Sequence, residues 1–327
     1  MKMANGMNRN SSTAPLLLGT AMLFLILFRR VFLNLEHFRY APPYAMDYSS
    51  GDYIIYNGVR YIPERFLILA LVMQVLTFAV PAMLYMKIFK GEGYVKQLNL
   101  TLPSLKHIPI VFYGLGAVIS GTALLSSLIY FLGGPLEIRA AAIDSGGNPV
   151  YDISVVAVFV LLPAVLEEFF FRSVMVGEYS RYGAVCACMI SSAAFAMIRF
   201  SLALFPIYFF AGVILYIIVK ATDSILFAVI VHAGGEFFNI YAWNRLSTVL
   251  IFEQNRFIFS FLATVIFVLF MIALLHSVEK TYYYKAYSDA PISLAGDNTA
   301  AKLSAVRVLS PALFVVAVIY FMDIILT

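Results

Sequence analysis

Glu167-Glu168-Phe169-Phe170-Phe171-Arg172 lies inside an apolar run from about Ile153 to Met175. Two adjacent carboxylates and a guanidinium stand there among aliphatic and aromatic neighbours. At bilayer depth each such charge costs about 2.5–3.5 kcal/mol on insertion scales, so it needs a partner or a task. What these carboxylates face is the question for the rest of the chain.

Outward from this stretch the chain stays apolar. Of its 327 residues 62% are hydrophobic and 12% are charged, about half the charged share of a soluble domain. The composition predicts an all-α polytopic membrane protein. Membrane-length runs begin near Ala14–Phe28 and continue at Phe66–Phe89, Ile110–Leu132, Ile153–Met175, Tyr182–Phe200, Leu202–Val219, Ser224–Tyr241, Phe257–His276 and Val308–Leu326. Each is close to the roughly 20 residues that span a hydrocarbon core, which gives about nine transmembrane helices. The first run reads as a retained helix, because Arg29-Arg30 follow it without a small-residue cleavage site. A Tyr-rich polar segment follows, and its Tyr53–Ile62 portion, centred on Asn57-Gly58, carries the signal of a short β-hairpin in the first extracytoplasmic loop. Gly91 to His107 reads as an amphipathic stretch lying on the surface.

The chain divides into three regions: N-terminal membrane helices with the Tyr-rich loop (1–152), a core set (153–241) and C-terminal helices (242–327). With the N-terminus cytoplasmic, all nine lysines fall on the cytoplasmic side, from Lys2 to Lys302, as the positive-inside rule favours. Arg29-Arg30 run against that assignment. Cys186 and Cys188 in an apolar run imply no disulfide framework and read as small core residues. A net charge of +4 without a long basic tract excludes a nucleic-acid partner, leaving lipid and whatever enters the bundle.

Helical spacing puts Glu168 and Arg172 four apart on one face, within ion-pairing reach, and turns Glu167 toward a different neighbour. His232 and Glu236 are again four apart with Asn239 on the same face, and Gly234-Gly235 between them let another backbone approach. Arg199 follows Phe195 by one turn. Three carboxylates, two arginines and one histidine make a nearly balanced set, suited either to a static charge network or to a polar pocket. Glu167, His232 and Glu236 could also offer a zinc ion two carboxylates and an imidazole, with Arg199 opposing the cation.

Glu-Glu-x-x-x-Arg at Glu167, Glu168 and Arg172, a phenylalanine at Phe195 about thirty residues on, and a histidine at His232 after a similar interval resemble the CAAX protease and bacteriocin-processing family. That family includes the Ras-converting CAAX endopeptidase and bacterial proteins tied to bacteriocin immunity or peptide maturation. The resemblance covers about Ile153 to Tyr241. It implies a multi-pass protein of a bacterial cell membrane, an intramembrane endopeptidase in which a glutamate activates water without a cofactor, and a prenylated or leader-type peptide substrate. Carried over by position, Glu167 is the general base, Glu168 and Arg172 orient it, and His232 stabilises the oxyanion. Two positions depart from the pattern: Arg199 stands where the family has histidine, and Glu236 where it has Asn or Asp. A guanidinium cannot serve as a base. The same residues therefore also fit a lapsed protease that binds a peptide or membrane partner as an immunity or scaffold protein.

Overall fold

In a computed structural model the chain is a helical bundle with a small sheet at one end. The structure describes residues 14–35, 54–56, 59–89, 103–133, 143–144, 149–242, 253–287 and 311–325. Nine helices are described: α1 (Ala14–Arg30), α2 (Pro63–Lys87), α3 (Leu105–Phe131), α4 (Pro149–Tyr179), α5 (Ala184–Met197), α6 (Phe205–Thr222), α7 (Ile225–Tyr241), α8 (Glu253–Tyr287) and α9 (Pro311–Ile325). Among the described residues α2, α3, α4, α6 and α8 are long and apolar enough to cross a membrane, and the protein is an integral multi-pass membrane protein. The other four helices are apolar but shorter. In particular the run at Tyr182–Phe200, expected at membrane length, yields only the 14 residues of α5. Gly183, at φ 102, turns the chain there from α4 into α5, a backbone conformation that suits glycine.

Prolines set several details. Pro63, Pro109 and Pro206 occupy first turns of helices, where the missing N–H costs nothing. Pro81 and Pro163 lie inside α2 and α4, and each follows a π-helical segment, Val75–Ala79 and Val156–Leu161. A proline ring clashes with the carbonyl one turn back and donates no hydrogen bond, and a wider turn relieves both faults. A second π segment, Phe169–Met175, directly follows the paired glutamates.

The main core draws buried side chains from all nine described helices. Small residues permit its closest approaches: a methyl group built on Gly212 of α6 would lie 2.9 Å from both Cα and Cβ of Ser192 in α5. Such stripes allow helices to pack where burying apolar surface gains little over lipid. Gly19 of α1 faces Val316 of α9, and further along Arg30 meets Asp323 at 2.7 Å while donating to its backbone carbonyl at 3.0 Å. Both contacts advance together, so α1 and α9 are parallel. Arg30, which ran against the lysine-based orientation, is thus paired with a carboxylate from the last helix.

Strand β1 (Ile54–Tyr56) pairs antiparallel with β2 (Val59–Tyr61) on one edge and with β3 (Ile143–Asp144) on the other. Asn57-Gly58 lie outside the described residues, as do 37–53 of the Tyr-rich segment and 91–102 of the expected surface stretch. Ile54 and Tyr61 cap a second apolar cluster with Phe66, Leu69, Val155 and Val158, and Tyr61, Phe66 and Phe159 stack in series. Cys186 and Cys188 are half-buried and pack against the main core.

Candidate active site

Glu167 and Glu168 sit side by side on α4 and are both buried, yet they belong to different networks. Glu168 is the hub of the inner one. Its Oε2 faces Arg172 Nε at 3.3 Å across one helical turn, and its Oε1 accepts from His232 Nδ1 at 3.0 Å. Arg172 is fully buried. Its guanidinium carbon lies 5.0 Å from the centre of the Phe195 ring, and the same ring meets the His232 imidazole edge-on at 5.3 Å. Phe195 thereby sits between the Arg172 guanidinium and the His232 imidazole and contacts both.

The outer network is built on Arg199. Its Nη2 donates to Glu167 Oε2 at 3.1 Å and to Glu236 Oε1 at 3.2 Å, bridging α4 and α7. Arg199 follows the end of α5, and the next residue, Phe200, has φ 48. That conformation is uncommon for a bulky residue and turns the chain sharply at this point. The guanidinium rests 4.5 Å from the Tyr208 ring centre and 5.5 Å from that of Phe195. Arg199 is the most exposed of the six charged residues, at 24%, against 13% for Glu236 and 3% for Glu167.

His232 links the two networks. Nδ1 is committed to Glu168, while Nε2 is buried with no hydrogen-bond partner, 3.9 Å from Glu167 Oε2 and 3.7 Å from Glu236 Oε1. Beside it a cavity of about 30 Å³ is lined by His232, Glu236 and Asn239 of α7, Thr122 of α3, Tyr208 of α6 and apolar side chains including Val118 and Ile207. That volume admits a water molecule, and the hydroxyl, amide and carboxylate groups could hold one.

All six residues singled out from the sequence, Glu167, Glu168, Arg172, Arg199, His232 and Glu236, therefore converge, and Asn239 joins them at the cavity. Tyr208 and Thr122 were not singled out. A lone phenol near the start of an apolar helix is a weak sequence signal, and Thr122 lies among the small residues of α3.

The arrangement does not fit a metal. Among the described residues no group of three or more His, Cys, Asp or Glu side chains is placed to hold one. Between Glu167 and Glu236, where a zinc ion would need to share their oxygens, the Arg199 guanidinium already does so.

Residues 149–238 match the family described as Type II CAAX prenyl endopeptidase Rce1-like. The segment runs from the start of α4 almost to the end of α7 and contains every charged residue of both networks. These helices are similar to the core of that family. The motif resemblance at Ile153–Tyr241 marked nearly the same bounds. No curated protein and no solved structure matches the chain. Within the matched segment, the two departures from the family pattern, Arg199 and Glu236, bond to one another.

Proposed function

We propose that this membrane protein uses its CAAX-protease core to hold a peptide or a membrane partner without cleaving it. The observation that carries this reading is the bridge from Arg199 Nη2 to Glu167 and Glu236. A glutamate that activates water must present an oxygen to that water and accept its proton. Here Glu167 Oε2 is engaged by a cation that never deprotonates, which draws electron density from the carboxylate and makes it a weaker proton acceptor. The residue that the family pattern supplies as a second base is that same cation. Glu236, in turn, accepts hydrogen bonds where the Asn of the family pattern would donate, and it is longer than the alternative Asp. Together the two departures form an ion pair, which neutralises charge that either alone would leave buried.

The test is hydrolysis of prenylated and bacteriocin-leader-type peptides by purified protein. Wild type is expected to release no product, and the double variant Arg199→His/Glu236→Asn to gain cleavage that depends on Glu167. Wild-type turnover lost in Glu167→Gln would overturn the proposal.

One observation favours the endopeptidase reading instead: the unpartnered Nε2 of His232 beside a cavity of water size, with Glu168 and Arg172 holding the ring. In that reading Glu167 is the base, and His232 and Arg199 donate to the oxyanion, where one such donor is worth about 2.7–4 kcal/mol. It predicts that Glu167→Ala abolishes cleavage at unchanged protein level.

The same proposal places the N-terminus in the cytoplasm of a bacterial cell and counts nine crossings. Parallel α1 and α9 support an even number of steps between them, and the Arg30–Asp323 pair accounts for the arginine that opposed this orientation. Reporter fusions at residues 1 and 327 would place the two ends on opposite sides.

A further inference from the structure

Removed from its own chain, the Arg199 guanidinium would describe a bound ligand. Two carboxylates from different helices accept from it, and two aromatic rings from two further positions face it, Tyr208 on α6 at 4.5 Å and Phe195 on α5 at 5.5 Å. Carboxylate pairs with aromatic faces are the chemistry that recognises guanidinium and ammonium groups. Glu167 and Glu236 are tied to the bundle by the rest of the network, since His232 stands within 4 Å of both and is itself fixed by Glu168. Glu167 and Phe195 are buried, and Glu236 and Tyr208 are partly buried. Arg199 differs: it is partly exposed and extends from a short turn between α5 and α6 rather than from within a helix. Next to the site, His232 Nε2, buried and without a hydrogen bond, and the cavity with Thr122 and Asn239 supply further polar groups and space.

We propose that Glu167, Glu236, Tyr208 and Phe195 form an intramembrane recognition site for a guanidinium or ammonium side chain, occupied in this structure by Arg199 as a tethered stand-in. An arginine or lysine within a bound peptide takes the same four contacts when Arg199 swings out toward its exposed side. This rests on the peptide-binding reading above and names the feature of the peptide that is read. It also explains why charge is retained here in a core that carries no base. A neutral gate would give a cationic peptide nothing to replace, whereas exchange of one cation for another keeps both carboxylates paired throughout.

The experiment uses Arg199→Ala in detergent, with methylguanidinium chloride and its neutral analogue methylurea as probes. Methylguanidinium is expected to raise Tm saturably, methylurea to leave it unchanged, and Arg199→Ala/Glu236→Gln to lose the response. Equal effects of the two probes overturn the proposal. If Arg199→Ala cannot be purified, Arg199→Gln is read in the same way. Recovery of either variant only when methylguanidinium is present supports the site, and failure of both with it present refutes it. A second arm takes wild-type protein and a model transmembrane peptide carrying one central arginine. It should bind about tenfold or more tighter than its citrulline counterpart, as charge-assisted hydrogen bonds to carboxylates require. Equal affinities sink the proposal. Neither arm depends on hydrolysis, so an active wild-type enzyme would overturn the non-cleaving reading while leaving the cation site to be judged by these measurements.

Discussion

Replacing Arg172 with methionine isolates what the inner network contributes. The side chain is fully buried and its Nε lies 3.3 Å from Glu168 Oε2. At an effective dielectric of about 20, a unit charge pair at that distance is worth about 5 kcal/mol. Methionine keeps most of the volume, so little of the change arises from a cavity. What it removes is the counter-charge, leaving Glu168 with His232 alone. Breaking one side of a buried pair costs about 3–5 kcal/mol, because the remaining charge stays desolvated. Arg172→Met should therefore lose about 3–5 kcal/mol in reversible unfolding in mixed micelles. Glu168→Gln/Arg172→Met should be less destabilised than Arg172→Met, since the stranded carboxylate is gone. A loss below about 1 kcal/mol for Arg172→Met, or a double variant worse than the sum of its singles, would show that the pair does not behave as a desolvated ion pair.

Other perturbations report on different parts of the fold. Gly212→Ala pushes a methyl group to 2.9 Å from the Ser192 backbone and should cost about 1–3 kcal/mol by thermal unfolding. Gly235→Ala is its control: there the added carbon meets Val118 at 3.5 Å, an ordinary contact, so stability should hold or rise by up to about 1 kcal/mol. Asp323→Asn should weaken the seam between α1 and α9. Faster hydrogen exchange confined to 311–325 and a loss of about 1 kcal/mol, small because Arg30 is partly exposed, would be the signature. Zinc or a chelator should leave Tm unchanged in wild type, because Arg199 already occupies the carboxylates a cation would share; a shift with stoichiometric zinc would reverse that expectation.

Much of this protein was open to inspection before folding. Apolar runs of bilayer length require helices that satisfy their own backbone, so composition alone determined the fold class. Spacing along one helix determined that Glu168 pairs with Arg172, and that Glu167 turns elsewhere. The motif at Glu167, Glu168, Arg172, Phe195 and His232 was sufficient to mark the family core. Each of these depends on residues close in the chain or on residue types at fixed intervals, which periodicity transmits without knowledge of packing.

Tertiary structure decided the rest. The sequence presented Arg199 and Glu236 as two separate departures; only the packing of α5 against α4 and α7 shows that they bond to each other and hold Glu167 between them. Tyr208 became part of the site because α6 carries its ring beneath Arg199, which no interval in the chain announces. Bends also escaped the sequence reading: π segments ahead of Pro81 and Pro163, and across Phe169–Met175, shift the faces that a regular helix would present. Arg30 looked like a charge on the wrong side until the last helix brought Asp323 to it. Apart from the π segments, the deciding contact in each case joins residues distant in sequence, and its partner is fixed by how helices approach one another rather than by what either helix contains.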